Sequence, residues 1–135
     1  MAERPGAVAD THALLFHAAG SKALGPNARR HFQAAELQQA LLYVPVAVVW
    51  EVNLLARAGR VNLRRPSRDF FSDLFSNPAF QPYDLSLEQV YLADNLRFNR
   101  DPFDALVVAA TLKLNLPLLT RDAEIRGADI VRVIW

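Results

Sequence analysis

The chain has 135 residues, no cysteine and a net charge of +1, which excludes a disulfide framework and a zinc–thiolate site and leaves overall charge silent about partners. Its hydrophobic fraction of 52% excludes disorder, and no apolar run reaches the ~18 residues that a membrane span needs. The length fits a single domain over residues 1–135, and MAERPGAVAD lacks the basic-then-apolar order of a signal peptide, so a cytoplasmic location is expected. All of the 15 basic side chains except Lys22 and Lys113 are arginines. Arginine grips phosphate or carboxylate bidentately, although a GC-rich genome produces the same bias.

Met1–Pro5 reads as a loose end, Gly6–Ala9 as a strand, and Ala13–Ala19 as a helix closed by Gly20. Asp10 stands at that strand-to-helix junction, either as the N-cap of the helix or as a ligand at the carboxyl end of a parallel strand. Ser21–Asn27 is a loop and Ala28–Leu42 a second helix offering Phe32, Leu37 and Leu41 to a core. His12, His17 and His31 show no paired metal-ligand spacing; only His12 adjoins an acid.

Tyr43–Val44 follows as a short strand, and Pro45 turns the chain into the helix Val46–Ala58. Glu51 is the one charge in the fifteen-residue stretch LLYVPVAVVWEVNLL. Its neighbours at three and four positions are Ala47, Val48, Leu54 and Leu55, so it shares an apolar stripe without a local cation. An unpaired buried carboxylate costs several kcal/mol, unless it is protonated, paired or bound to a cation.

Five arginines crowd Arg57–Arg68, as a solvated face or as a grip on a phosphate backbone. A helix capped by Ser67 then carries Phe70, Phe71, Leu74 and Phe75 on one broad face, for core packing or as a partner surface. Tyr83–Leu85 is a short strand candidate, and Ser86 with Gln89 forms a capping-box pattern opening the helix Leu87–Leu96.

Arg100–Asp122 is the most informative stretch. Asp101 stands at an N-cap, Pro102 at the first helical position, and Asp104 in the first turn. From Ala105 to Leu114 only Thr111 and Lys113 are polar, so this helix is expected to be buried on most sides. Leu116–Leu119 is a short strand ended by Thr120-Arg121-Asp122; a turn of helix reaches Gly127, and Ile130–Ile134 closes the chain as a last strand.

Strands alternating with helices argue for a three-layer α/β domain with a parallel sheet. Asp10, Glu51, Asp104 and Asp122 each fall at a strand end or in the first turns of the following helix, and a parallel sheet gathers those ends on one edge. Four acids without matching cations repel. Oxygen-only ligands select Mg²⁺ or Mn²⁺, which points to phosphodiester hydrolysis. No Gly-rich phosphate loop, GxSxG elbow or cysteine nucleophile competes with that reading. A phosphoacceptor domain needs a lysine across the site, and neither Lys22 nor Lys113 is placed for it. A non-catalytic binding module using the Phe70–Phe75 helix is the alternative from another class.

Asp10-Thr11-His12-Ala13-Leu14-Leu15, Trp50-Glu51-Val52, Arg100-Asp101-Pro102-Phe103-Asp104 and Leu118-Leu119-Thr120-Arg121-Asp122 together resemble the PIN domain, and within it the VapC-type toxins of toxin–antitoxin pairs. The resemblance implies a PIN-like α/β/α fold and a Mg²⁺- or Mn²⁺-dependent endoribonuclease acting on RNA. It also implies a homodimer neutralised by a small antitoxin. On that carry-over Asp10, Glu51, Asp104 and Asp122 are the metal-binding and catalytic acids. Asp101, Thr11 and Thr120 are secondary, and Arg100, Arg121 and His12 are RNA contacts. Two positions depart from the family pattern. Asn99 stands where members often have histidine, and no Ser or Thr lies near Val46.

Overall fold

The computed structural model describes residues 3–135, so Met1 and Ala2 of the expected loose end lie outside the described residues. The order of elements is β1 (Gly6–Ala9), α1 (Thr11–Ala19), α2 (Pro26–Glu36), β2 (Leu41–Pro45), α3 (Val46–Arg57), α4 (Ser67–Leu74), β3 (Phe80–Tyr83), α5 (Leu87–Asn95), α6 (Pro102–Leu114), β4 (Leu118–Leu119), α7 (Ala123–Ala128) and β5 (Val133–Ile134). The five strands make one wholly parallel sheet in the order β3-β2-β1-β4-β5, the centre of a three-layer α/β/α arrangement.

The strands are short and buried on both faces. Ala7, Val8, Ala9, Leu42, Val44, Leu118 and Leu119 have no exposed surface, the continuous apolar pattern of a covered parallel sheet. The helices meet it with small residues and a few large ones: Ala13 and Leu14 from α1, Phe32 from α2, Val48 and Val52 from α3. In α6 the run Val107–Thr111 is buried without a break, as its sequence predicts, and Lys113 emerges at the surface. The Thr111 hydroxyl is satisfied by donating to the Val107 carbonyl at 2.8 Å.

Chain order and spatial order part company at one place. The chain builds outward from β1 through β2 to β3, then returns past α5 and α6 to set β4 on the other side of β1. The carboxyl ends of β1 and β4 therefore flank a topological switch point, where loops leave in opposite directions and open a crevice. Asp10 follows β1 directly and Thr120 follows β4 directly.

Several expected boundaries shift. The second helix stops at Glu36 instead of running to Leu42, because Gln38 takes a left-handed φ of 60° and the chain turns into β2 at Leu41. Leu37 consequently points outward at 69% exposure and is no part of the core, while Leu41 belongs to a strand. Pro5 is not loose: its carbonyl accepts the Leu41 amide at 2.8 Å and prolongs the β1–β2 ladder. Ser67 is not a cap either; Pro66 holds that position, and the Ser67 hydroxyl bonds Asn53 Oδ1. The third strand ends at Tyr83 rather than beginning there. Pro82 sits inside it, which an edge strand tolerates because one row of its amides needs no partner.

The face formed by Phe70, Phe71, Leu74 and Phe75 is turned inward. Phe70 and Phe71 are buried in the core, and Leu74 and Phe75 pack against it half-covered. That overturns its reading as a partner surface: burial of four large apolar side chains stabilises the fold far more than their exposure would serve binding. These assignments separate two substitutions five residues apart. Phe32→Ala should cost about 3–5 kcal/mol in urea unfolding, whereas Leu37→Ala should lie within about 0.5 kcal/mol of wild type.

Candidate active site

Asp10, Glu51, Asp101, Asp104 and Asp122 line one open pocket of about 300 Å³ at the carboxyl edge of the sheet, together with His12, Ala13, Thr120, Arg121 and Trp135. The four acids expected from sequence are thus brought to one place from four separate segments. Asp101 joins them.

Local structure explains how each arrives. Asp10 is both things that its position suggested. It is the N-cap of α1, its Oδ1 accepting the Thr11 amide at 2.8 Å, and it lines the pocket at 6% exposure. Its Oδ2 accepts the Thr120 hydroxyl at 2.6 Å, a bond across the β1–β4 crevice. The same Thr120 oxygen accepts the Asp122 amide at 3.1 Å, so one hydroxyl aligns two acids. Asp122 in turn caps α7 through the Ile125 amide at 2.9 Å. Asp101 caps α6, its Oδ1 accepting the amides of Phe103 at 2.8 Å and Asp104 at 3.3 Å. Three of the five acids therefore close helix N-termini, whose partial positive charge favours carboxylates there.

Glu51 and Asp104 stand inside their helices and are held by side chains. The Thr11 hydroxyl donates to Glu51 Oε1 at 2.6 Å, and Asn99 Nδ2 donates to Asp104 Oδ2 at 2.8 Å. Glu51 thus keeps the unusual inward position read from its apolar stripe and finds a threonine in place of a cation. Among the described residues no buried side-chain nitrogen or oxygen lacks a partner.

The electrostatics record the crowding. Burial raises the Asp104 carboxyl to about 7, and the charges of Asp101, Asp10 and Asp122 push in the same direction against the Asn99 hydrogen bond. Burial likewise raises Asp10, opposed by the Thr120 hydroxyl and the Thr11 amide, and raises Glu51, opposed by the Thr11 hydroxyl. Arg121 and His12 are the cationic or titratable nitrogens lining the pocket; neither Lys22 nor Lys113 does, which removes the lysine that phosphoacceptor chemistry requires. The Arg121 guanidinium lies 4.6 Å from the centre of the Phe16 ring.

An all-oxygen donor set of this kind suits a hard divalent cation. Among the described residues no three carboxylates or imidazoles are gathered closely enough to enclose one unaided. Mg²⁺ keeps several of its waters and takes one or two protein carboxylates directly, so a loosely spaced ring of acids fits a hydrated ion better than a tight cage would.

Of the remaining expected residues, Thr11 stands behind Glu51, and Arg100 is exposed on the loop before α6 and does not line the pocket. Two residues escaped the sequence reading as parts of the site. Asn99 orients Asp104 and, through Oδ1, accepts the Asp101 amide at 3.0 Å; an asparagine two residues before a helix cap was the available signal. Trp135 forms a wall of the pocket from the far end of the chain, edge-on to Phe16 at 6.3 Å between ring centres, and nothing in its neighbourhood announced it.

The PIN domain family model matches residues 7–131, and the chain belongs to that family. No curated protein matches the sequence. Among solved structures, the fold is similar to VapBC2 from Rickettsia felis bound to a DNA fragment from their promoter, with a TM-score of 0.68 at 11% identity, covering 96% of this chain and 97% of that one. A toxin–antitoxin complex from Klebsiella pneumoniae aligns with a TM-score of 0.63 at 18% identity over 96% of both chains. FitAcB from Neisseria gonorrhoeae aligns with 0.65 at 15%, again over 96% of both. Among the described residues no helix is long and apolar enough to cross a membrane.

The raised carboxyl of Asp104 has a signed consequence for stability. The folded state holds this proton more tightly than the unfolded chain, so the contribution is full at acid pH and is lost as pH rises through about 7. Asp104→Asn removes it. In thermal unfolding without divalent metal, the variant should gain on wild type progressively between about pH 4 and pH 7, the opposite of the trend for a salt-bridged aspartate.

Proposed function

We propose that the chain is a metal-dependent endoribonuclease, the toxin of a toxin–antitoxin pair, with Asp10, Glu51, Asp104 and Asp122 as its metal-binding and catalytic acids. The observation that carries this reading is the convergence of those carboxylates, from four segments, on one open pocket with no lysine in it. Family membership and the similarity of the fold to a chain from the Klebsiella pneumoniae toxin–antitoxin complex support it.

The residues would divide the work as follows. Asp10 and Asp104 would be the principal residues to hold a Mg²⁺ or Mn²⁺ ion, and Glu51 and Asp122 would help to hold it. The chemistry such an ion supplies is charge neutralisation at a phosphate oxygen and a lowered pKa for water. Thr120 holds Asp10 and Asp122 in register, Thr11 holds Glu51, and Asn99 holds Asp104. Each therefore presents a carboxylate already oriented, which spares the cost of ordering it when the substrate arrives. Asp101, tied to two amides of α6, contributes charge to the rim and stays a cap first. Arg121 and His12, which line the pocket, are the contacts to RNA phosphates in this reading. The partners that go with this reading are RNA, a small cognate antitoxin and a second copy of the chain, in the cytoplasm.

The test is cleavage of RNA by purified protein with Mn²⁺ or Mg²⁺, against chelator and against Asp10→Asn and Asp104→Asn. Both variants should lose cleavage and stay folded; an Asp104→Asn protein that cuts at the wild-type rate would refute the assignment. Thr120→Val keeps the shape and removes the shared hydroxyl. It should lower metal affinity or activity about 10–100-fold, the usual cost of losing the group that orients a ligand.

A further inference from the structure

A second cleft, of about 690 Å³, adjoins the acid pocket and shares His12 with it. Its floor is apolar, made by Leu15 and Phe16 of α1, Leu55 of α3 and Leu63 of the following loop. Arg60 and Arg64 line its rim, both exposed, and neither forms an ion pair among the described residues. Phe16 joins the two spaces, since Arg121 and Trp135, which line the acid pocket, both pack on its ring.

The five arginines between Arg57 and Arg68 are thereby divided. Arg57 lies over Trp50 at 5.0 Å, and Arg65 bonds Asp73 at 3.1 Å and covers Phe70. Arg57, Arg65 and Arg68 line a separate shallow hollow on the other side of α3 and α4. Arg60 and Arg64 alone of the five line the cleft beside the acids.

We infer that this cleft is the track for the single-stranded RNA flanking the scissile phosphate, with Arg60 and Arg64 on its phosphates and bases on the Phe16–Leu63 floor. The inference rests on the nuclease reading for the identity of the strand. Its own support is charge: an anionic pocket shares His12 with a cleft lined by the unpaired guanidiniums of Arg60 and Arg64 and by apolar, partly aromatic side chains. Single-strand sites combine these parts, cations for the backbone and flat apolar surface for the bases. Arginine rather than lysine on the rim suits bidentate contact with phosphate. The volume lies within the range of ordinary ligand clefts. An acidic peptide matches the rim equally well, but it has no reason to continue into five carboxylates, whereas a polynucleotide must extend past its scissile bond.

The experiment measures binding of a labelled single-stranded oligoribonucleotide to the Asp104→Asn protein, where cleavage does not interfere, across a salt series. Adding Arg60→Gln and Arg64→Gln, both at exposed positions, should raise Kd about tenfold or more at low salt. It should also reduce the slope of log K against log salt by about 1.4, or about 0.7 for each phosphate that is no longer neutralised. Arg68→Gln in the same background should leave Kd unchanged. Equal Kd and slope with and without the Arg60 and Arg64 substitutions would overturn the inference and leave the cleft to a protein partner. The two readings fail separately. A wild-type chain that cuts no RNA, while the double substitution still weakens binding, defeats the nuclease reading and keeps the track.

Discussion

Like charges held at the carboxyl edge of a parallel sheet are the constraint on which the rest of this structure turns. Five carboxylates line a pocket of about 300 Å³, and burial together with their mutual repulsion drives Asp104 to about 7. Nothing in the packing of α1, α3, α6 or α7 requires acids there. The fold pays for them instead with a set of compensations: helix N-termini beneath Asp10, Asp101 and Asp122, hydroxyls from Thr11 and Thr120, and an amide from Asn99. Each offsets part of the repulsion, and none brings a full positive charge. Against five carboxylates, Arg121 is the one side chain of permanent positive charge that lines the pocket among the described residues.

The topology is what makes the demand local. Because β4 returns to the opposite side of β1 from β2, the β1 and β4 carboxyl ends border a crevice, and the Thr120–Asp10 bond spans it. The short buried strands and the unbroken apolar run of α6 give that edge a rigid base. The N-caps of α1, α6 and α7 and the bodies of α3 and α6 carry the acids, whereas the loop after α3 carries Arg60 and Arg64. Charge of one sign is thus held at the carboxyl edge of the sheet by helices and their caps, and charge of the other sign stands on a loop beside it.

Much of this was legible in the sequence, and the reason is capping. Asp10, Ser86, and Asp101 with Pro102 mark helix starts by chemistry that survives without tertiary context, and each starts a helix in the structure. Glu51 was conspicuous because a lone carboxylate on an apolar stripe needs a reason. What misled was punctuation of the wrong kind. Gln38 turns left-handed with no glycine or proline to warn of it, so α2 seemed to run into β2. Tyr83–Leu85 was expected as the strand, and Pro82 proved to lie inside the edge strand that ends at Tyr83. The aromatic run Phe70–Phe75 could be assigned to core or surface only by knowing what lay beneath it. Trp135 and the link from Phe16 to Arg121 depend on contacts between distant segments, which local pattern does not encode.

The central claim, that these acids hold a divalent cation, is tested most directly by anomalous diffraction at the manganese edge from crystals grown with Mn²⁺. The account predicts a peak within the pocket bounded by Asp10, Glu51, Asp104 and Asp122, with water completing the coordination, and no such peak in Asp10→Asn crystals. A peak elsewhere, or an empty pocket at saturating Mn²⁺, would contradict it.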